Sequence, residues 1–264
     1  MSTMLSIFRQ YTYDDSFEQV FVSGKILKQY QIALTFATDY DEKDAPTNGV
    51  FRPTWDQTKV SLDSIMHFKQ QHKDVEVKVF ISIGNRGPIY PFKPLDTKTW
   101  ASNATASLTP IIQSLQVDGI DVLYEHIDAS PGDFIKCVGQ LIRNLKEQRL
   151  VTLASISPSS ALDHEFYSTL YNDVSLYVDW VDYQFQNEVG PVYDPTTLVQ
   201  RYNHLAKDVY PRKKLFAGYS AENEDWATLS PIVFFLAGID ILKKKRAPGI
   251  SIHYHNYYSQ PPST

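Results

Sequence analysis

The chain has 264 residues, of which 43% are hydrophobic and 21% are charged, so it can bury a large core. Its formal net charge is −5 and its isoelectric point is near 5.8, whereas nucleic-acid-binding domains are usually basic, so no nucleic-acid partner is expected. The single cysteine, Cys137, excludes an intrachain disulfide.

Membrane and export signals are not visible in the sequence. No apolar run approaches the roughly 18 residues that a membrane span needs, so we expect no membrane association. The N-terminus lacks the basic and apolar regions of a secretory signal, which favours a cytoplasmic protein. A mature secreted chain from which the signal has been removed would look similar. No linker or repeat interrupts the chain, so residues 1–264 are predicted to form one domain.

Short apolar runs alternate along the chain with stretches that have apolar residues at helical spacing. Eight runs are predicted to be strands: residues 5–11, 31–37, 77–83, 119–124, 151–156, 180–185, 214–218 and 249–253. The predicted helices cover residues 58–72, 97–115, a segment capped by Ser130, 161–172, 195–209 and 231–243, and residues 16–30 are only partly helical in pattern. The acidic loop at 39–44 is expected to be solvated. Alternation over eight units of about 30 residues favours an α/β fold of the closed (β/α)8 type, the TIM barrel.

The predicted strand at 119–124 carries acids at alternate positions. Asp121, Leu123 and Glu125 share one face of this strand, because successive side chains in a strand point to opposite sides. Acids that face an enclosed interior are costly unless they are hydrogen-bonded or functional. The C-terminal ends of barrel strands form the functional site, and around Glu125 they are polar and aromatic, as in a sugar site. The candidate ligand-binding residues at these ends are Tyr11, Ser82, Asn85, Gln184 and His253.

Three motifs carry a resemblance to a known family. The segment DGIDVLYE at 118–125 resembles the DGxDxDxE strand of the family-18 glycoside hydrolases, the chitinase family. The segment SIGN at 82–85 resembles the SxGG strand of that family, and residues 182–187 resemble its sixth-strand tyrosine motif. Residues 7–11, 79–87, 124–127, 139–142 and 180–185 resemble, more narrowly, narbonin and related legume chitinase-like proteins. That resemblance implies a plant (β/α)8 barrel without chitinase activity, of a type often discussed as seed storage proteins.

The resemblance also implies roles for single residues. In the active family the glutamate, here Glu125, protonates the leaving oxygen while the acetamido group of the substrate attacks. Leu123 stands where an aspartate would orient that acetamido group, and losing one such stabiliser costs on the order of 100- to 1000-fold in rate. Tyr183 would hydrogen-bond the acetamido carbonyl, and Asp121 would be a buried structural acid.

Two further residues depart from the active pattern. His253 stands where active members have a tryptophan on which the sugar stacks, and its ring offers less apolar area. Arg86 is within reach of Glu125, and an ion pair there would favour the ionised carboxylate, whereas a general acid must hold a proton. His253 and His255 form an HxH pair, but zinc normally needs three or four protein ligands, so no metal and no cofactor is expected.

The resulting hypothesis is a catalytically inactive or severely impaired chitinase-like barrel, a pseudoenzyme with a storage or binding role. Two alternatives stay open: a weak chitinase or lectin that binds N-acetylglucosamine oligomers at Glu125, and an enzyme inhibitor that acts through surface loops. The expected small-molecule partner is therefore a chito-oligosaccharide.

Narbonin-like chains end in an eighth helix, and no helical pattern follows residue 253 here. The apolar outer face left by a missing helix should be covered by residues 16–30, by the tail at 254–258 or by a second copy, giving a monomer or a homodimer.

Overall fold

The computed structural model describes residues 5–12, 27–187, 194–220, 229–245 and 247–253. Eight parallel strands form its barrel: β1 (Leu5–Thr12), β2 (Leu27–Thr38), β4 (Glu76–Asn85), β5 (Gly119–Tyr124), β6 (Leu153–Ile156), β7 (Trp180–Gln184), β8 (Leu215–Ser220) and β9 (Gly249–His253). Each of these strands pairs with the next one along the chain, and β1 also pairs with β9, which closes the ring. A two-residue strand, β3 (Arg52–Pro53), pairs antiparallel with β2. The predicted closed (β/α)8 barrel is therefore confirmed.

Helices follow the strands and cover the outside of the barrel. They are α1 (Leu62–Gln71), α2 (Trp100–Leu115), α3 (Pro131–Glu147), α4 (Ser160–Leu162), α5 (Ser168–Val174), α6 (Pro195–Asp208) and α7 (Pro231–Lys245). A π-helical turn, Asp163–Tyr167, joins α4 to α5. The predicted start of α3 is confirmed, because the Ser130 hydroxyl accepts a hydrogen bond from the backbone N–H of Asp133 at 3.1 Å and Pro131 occupies the first turn. Cys137 packs on the buried face of α3, and burial raises the pKa of its thiol to about 12.

Two apolar regions hold the barrel together. The larger one lies between the strands and the helices, and it takes the outward-facing residues of each strand, such as Ile120 and Val122 of β5. A smaller cluster fills part of the barrel interior and consists of Tyr11, Ala33, Phe36, Phe80 and Leu123. Alternate residues of a strand therefore belong to different cores, and the inward-facing ones determine what the barrel can bind.

Two local expectations are wrong. Residues 27–30, expected in a partly helical stretch, belong to β2, where Tyr30 packs on Phe8 of β1 with ring centroids 5.8 Å apart. Asp39, expected in a solvated loop, is only 1% exposed. Its carboxylate accepts hydrogen bonds from Trp100 Nε1 at 3.0 Å and from the Tyr124 hydroxyl at 3.3 Å, and burial raises its pKa. Tyr40 is also buried and Asp41 is partly exposed, whereas residues 42–44 are exposed as expected.

Across the described ranges, no helix has the length and apolar character that crossing a membrane requires. Residues 13–26 and 254–264, which include the expected covering segments, His255 and the place of a last helix, lie outside the described residues. The expected absence of an eighth helix therefore stays a prediction.

Candidate functional site

The inward face of β5 sets three side chains at increasing height in the barrel. Asp121 lies deepest, Leu123 lies in the inner apolar cluster, and Glu125 follows the last residue of the strand at the barrel mouth. The register places Asp121 beside Ser82 of β4 and Ser155 of β6. The three inward positions therefore have different surroundings.

Asp121 is fully buried and surrounded by donors. Three serine hydroxyls, a tyrosine hydroxyl and a guanidinium group lie within hydrogen-bond distance of its carboxylate. These are Ser82 (2.9 Å), Ser155 (2.5 Å), Ser157 (2.9 Å), Tyr11 (3.2 Å) and Arg9 (3.3 Å). So many partners fix the carboxylate in place and compensate its burial, as a structural acid requires.

Arg9 forms a charged centre in the barrel that sequence reasoning missed. Its guanidinium group is fully buried, 3.3 Å from the Asp121 carboxylate and 3.5 Å from that of Asp182. It also lies between two aromatic rings, 4.6 Å from the centroid of Phe80 and 5.3 Å from that of Phe216. An arginine inside the apolar first strand was a signal for such a centre, but its partners come from β5 and β7, far away in sequence.

Asp182 completes this charged centre from β7. It accepts hydrogen bonds from the Tyr11 hydroxyl at 2.8 Å and from the Ser251 hydroxyl at 2.6 Å. Burial raises the pKa of Asp182 to about 6, although Arg9 opposes the shift. The barrel interior therefore holds one cation between two carboxylates, one of which ionises near neutral pH.

Leu123 occupies the position between the two acids of β5. Its side chain is fully buried among Tyr11, Phe36 and Phe80. Gly84 of β4 runs so close to this strand that an added Cβ atom would lie 2.1 Å from the backbone oxygen of Leu123, and its φ of 113° also favours glycine. The place of an acetamido-orienting carboxylate is therefore taken by a packed apolar side chain.

Glu125 at the barrel mouth accepts hydrogen bonds from Arg86 and from Gly87. Arg86 Nε lies 3.1 Å from one carboxylate oxygen, and the backbone N–H of Gly87 donates to the other at 2.8 Å. The side chains of Arg86 and Glu125 are 10% and 15% exposed. Arg86 Nη1 also donates to the Ser220 hydroxyl of β8, which ties the pair to the opposite side of the mouth. The contact that the sequence predicts between Arg86 and Glu125 is present.

Tyr183 lies on the other face of β7 from the barrel interior. Asp182 points inward to Arg9 and Tyr11, so its neighbour Tyr183 points outward, where it packs on Phe185 with ring centroids 4.8 Å apart in the outer core. The expectation that this hydroxyl reaches a sugar at Glu125 is therefore wrong. Counting alternate positions from Asp182 identifies Gln184 as the inward residue of β7. Gln186, which sequence reasoning missed, follows in a 3-10 turn, is buried and has its Nε2 3.5 Å from Gln184 Oε1.

His253 closes the interior rather than flooring an open groove. Its ring is fully buried and stacks on Tyr11 with centroids 3.6 Å apart and planes 10° apart. Burial, with Arg86 and Arg9 nearby, lowers the pKa of His253 well below its ordinary value, so the imidazole is neutral at pH 7. Tyr11 is equally buried. Neither ring offers the exposed face that sugar stacking needs.

In the described part of the chain, an open cleft at the mouth lies beside Arg86. This cleft of about 590 Å³ is lined by Phe36, Thr54, Asn85, Arg86 and Tyr90, among others. Of the predicted ligand-binding residues, Asn85 lines this cleft, whereas Tyr11, Ser82, Gln184 and His253 are buried. Over the described segments, no group of three or more His, Cys, Asp or Glu side chains is arranged to hold a metal ion.

Comparisons with known proteins agree on one family. The model described as "Glycosyl hydrolases family 18" matches residues 18–251. A RuBisCO-associated protein from Glycine max is 37% identical, with 96% of this chain and 91% of that protein covered. Chitinase 1 from Tulipa saxatilis subsp. bakeri is 30% identical, with 92% and 78% covered. The catalytic domain of a family GH18 chitinase from the fern Peteris ryukyuensis superposes with a TM-score of 0.81 at 30% identity, with 94% of this chain and 91% of that chain covered.

Proposed function

Because the chain belongs to glycosyl hydrolase family 18, we propose that it is a non-hydrolytic barrel of that family with a binding or storage role. The observation that carries this proposal is the hydrogen bonding of the Glu125 carboxylate. Arg86 Nε and the backbone N–H of Gly87 each donate to one of its two carboxylate oxygens, so both oxygens face donors of the protein. A general acid must instead carry a proton and present it to the leaving oxygen.

The position of Leu123 supports the same proposal. Substrate-assisted cleavage develops positive charge on the acetamido group, and a carboxylate beside the general acid would stabilise that charge. Leu123 provides no charge and no hydrogen-bond acceptor. Its side chain packs in an apolar cluster with Phe36 and Tyr11, so this position of β5 cannot stabilise a positive charge. Tyr183, on the outward face of β7, cannot take over the task.

A binding role has support from a relative. The Glycine max protein is named for an association with RuBisCO, which supports a protein-binding role for this chain. A storage role rests on the resemblance to narbonin. Both roles use the barrel as a stable body and leave the chemistry of Glu125 unused.

Hydrolysis and sugar binding can be tested separately. Wild-type protein and Glu125→Gln should release the same background of product from tetra-N-acetylchitotetraose, and calorimetry with this tetramer should show no micromolar binding. Product release that depends on Glu125 would contradict the proposal and favour a weak chitinase. Micromolar binding without release would favour a lectin.

A further inference from the structure

Helix α7 carries an apolar stripe on its outer side. Nine large apolar side chains are exposed in the described part of the chain, and four of them lie on this helix: Ile232 (71% exposed), Phe235 (47%), Leu236 (53%) and Ile239 (47%). Phe234 and Ile241, on the opposite side of the helix, are buried, and Phe234 stacks on Tyr219 of β8. One face of α7 therefore anchors the helix to the barrel, and a second apolar face is exposed.

The size of this stripe is unusual for a free surface. A fully exposed large side chain offers roughly 200 Å², so the four exposed fractions correspond to roughly 400 Å² of contiguous apolar surface. Soluble monomers rarely expose larger apolar patches, and patches of this size often mark interaction sites. A stable interface takes about 800 Å² from each partner and has an apolar centre with a polar rim. The stripe is therefore large enough to form the centre of a weak interface.

The order of the side chains makes the stripe complementary to itself. Their spacings of three, one and three residues read the same from either end, with an isoleucine at each end and the phenylalanine and leucine in the middle. A two-fold axis through the middle of the stripe therefore places Ile232 of one copy against Ile239 of a second copy, and Phe235 against Leu236. A two-fold contact of this kind closes on itself and gives a dimer.

The charges at the two ends of the helix favour the same antiparallel orientation. Lys243, four residues after Ile239, is exposed and continues the same side of the helix. Residues 243–246 of the sequence are all basic, whereas residues 222–225, which precede the helix in the sequence, include three acids. Antiparallel copies bring ends of opposite charge towards each other, whereas parallel copies bring like charges together. The aligned backbone dipoles of the helix also favour the antiparallel orientation.

We propose that this stripe is a self-association surface, on which α7 of one copy packs antiparallel against α7 of a second copy. The four apolar side chains form the centre of the contact, and Lys243 lies at its rim. The contact is independent of the chemistry at the barrel mouth, so this proposal and the proposed function can fail separately.

Sedimentation velocity of the whole chain at concentrations up to about 500 µM tests the association. We expect a monomer–dimer equilibrium with a dissociation constant on the order of 100 µM, because the stripe is about half the size of a stable interface. Leu236→Asp places a charge at the centre of the contact and should weaken dimerisation at least about tenfold. Leu176→Asp is the matched control, since Leu176 is 94% exposed but lies outside α7, and it should dimerise as wild type does. Circular dichroism shows whether each variant is folded.

Cross-linking tests the orientation. Ile232 and Ile239 are seven residues apart, roughly 10 Å along the helix, whereas a disulfide needs Cα atoms within about 7 Å of each other. A mixture of Ile232→Cys and Ile239→Cys should therefore form a disulfide-linked heterodimer in a glutathione buffer, and neither variant alone should form a linked homodimer. The natural cysteine, Cys137, is buried and should not compete.

Three results would overturn the proposal. The first is a wild-type chain that stays monomeric up to about 500 µM, which would leave the stripe to residues 254–264 or to a different protein. The second is a folded Leu236→Asp variant that dimerises as wild type does, or a Leu176→Asp variant that loses dimerisation equally. The third is a cysteine variant that links to itself as well as the mixture does, which would exclude the antiparallel contact.

Discussion

At the scale of single residues, Glu125 is the acid whose surroundings decide the interpretation of the site. Catalytic acids are usually held in surroundings that cost stability, so replacing them often leaves a protein as stable or more stable. Here the carboxylate balances Arg86 in a mostly buried pair and also accepts from Gly87. Its contribution should therefore be to stability.

We predict that Glu125→Gln lowers the free energy of unfolding by about 1–3 kcal/mol, because it replaces the charged acceptor of the Arg86 Nε–H with a neutral one. Urea denaturation at pH 7 measures the change. Arg86→Gln and the double variant complete a thermodynamic cycle, which should show a coupling of the two side chains. A variant Glu125→Gln as stable as wild type would contradict a structural role for this acid.

Leu123 gives a second prediction at the same scale. Leu123→Asp buries a carboxylate in an apolar cluster two residues from Asp121, and should cost on the order of 3 kcal/mol of stability. It should not create chitotetraose hydrolysis, because Arg86 still holds Glu125. Leu123→Met, which conserves volume, should cost less than about 1.5 kcal/mol. Hydrolysis gained by Leu123→Asp, measured as product release, would mean that the single missing acid is what prevents catalysis.

The residues also show how far sequence reasoning reaches. Alternation along β5 correctly placed Asp121, Leu123 and Glu125 on one inward face. The same alternation, counted from Asp182, would have turned Tyr183 outward, but the tyrosine motif was assigned from resemblance alone. The Arg9 centre could not be predicted, because its partners meet only after the barrel closes and no local pattern encodes that register.

At the scale of elements, the π-helical turn between α4 and α5 supports the end of β5. Its Tyr167 hydroxyl accepts from the backbone N–H of Tyr124 at 2.8 Å and lies 3.1 Å from the carbonyl of the same residue. Tyr124 directly precedes Glu125, so one buried side chain satisfies the backbone where β5 leaves the barrel. The sequence predicted a regular helix at 161–172, since the wider turn has no periodic signal of its own.

We predict that Tyr167→Phe destabilises the fold by about 1–3 kcal/mol, because it leaves buried backbone groups of Tyr124 without a partner. Tyr177→Phe is the matched control, since the Tyr177 hydroxyl bonds to Glu147 at the surface and its loss should cost little. Urea denaturation compares the two variants. Equal losses for the buried and the surface hydroxyl would show that Tyr167 does not support the strand.

At the scale of the whole molecule, the outer surface has one apolar concentration in the described part of the chain. Ile232, Phe235, Leu236 and Ile239 are exposed along one side of α7, whereas Phe234 on its other side is buried against Tyr219 of β8. Spacing of three and four residues makes these four a single stripe. This stripe is distinct from the apolar outer face that the sequence predicted where a last helix would lie, and that face and its cover by residues 16–30, a tail or a second copy stay a prediction.

The charges in the barrel interior couple the stability of the whole fold to pH. Arg9 lies between Asp121 and Asp182, so full ionisation leaves two buried negative charges against one positive charge. Burial raises the pKa of Asp182 from its ordinary 3.8 to about 6 in the folded chain. The folded state therefore binds a proton that the unfolded state has already released between these two values.

This difference fixes the sign of the pH dependence. The stabilisation from a protonated Asp182 is fully present below about pH 4 and is lost as the pH rises through about 6. Because the pKa of Asp182 is about two higher in the folded chain than its ordinary value, the stability that depends on its protonation is roughly 3 kcal/mol. Asp182→Asn keeps an acceptor for Tyr11 and Ser251 but cannot ionise, so it should gain stability relative to wild type between pH 4 and pH 7.

Urea denaturation at constant ionic strength gives the free energy of unfolding of wild type and Asp182→Asn at pH 4 and at pH 7. The result is how much the stability difference between the two proteins changes from one pH to the other. Effects of acids that are distant from Asp182 cancel in that comparison, because they are common to both proteins. Asp173→Asn, which alters a surface acid paired with Arg143, serves as the control and should leave the difference unchanged between the two pH values. If the stability difference between Asp182→Asn and wild type is also the same at pH 4 and pH 7, the prediction is wrong. Asp182 is then ionised in the folded barrel throughout this range, and Arg9 compensates both carboxylates.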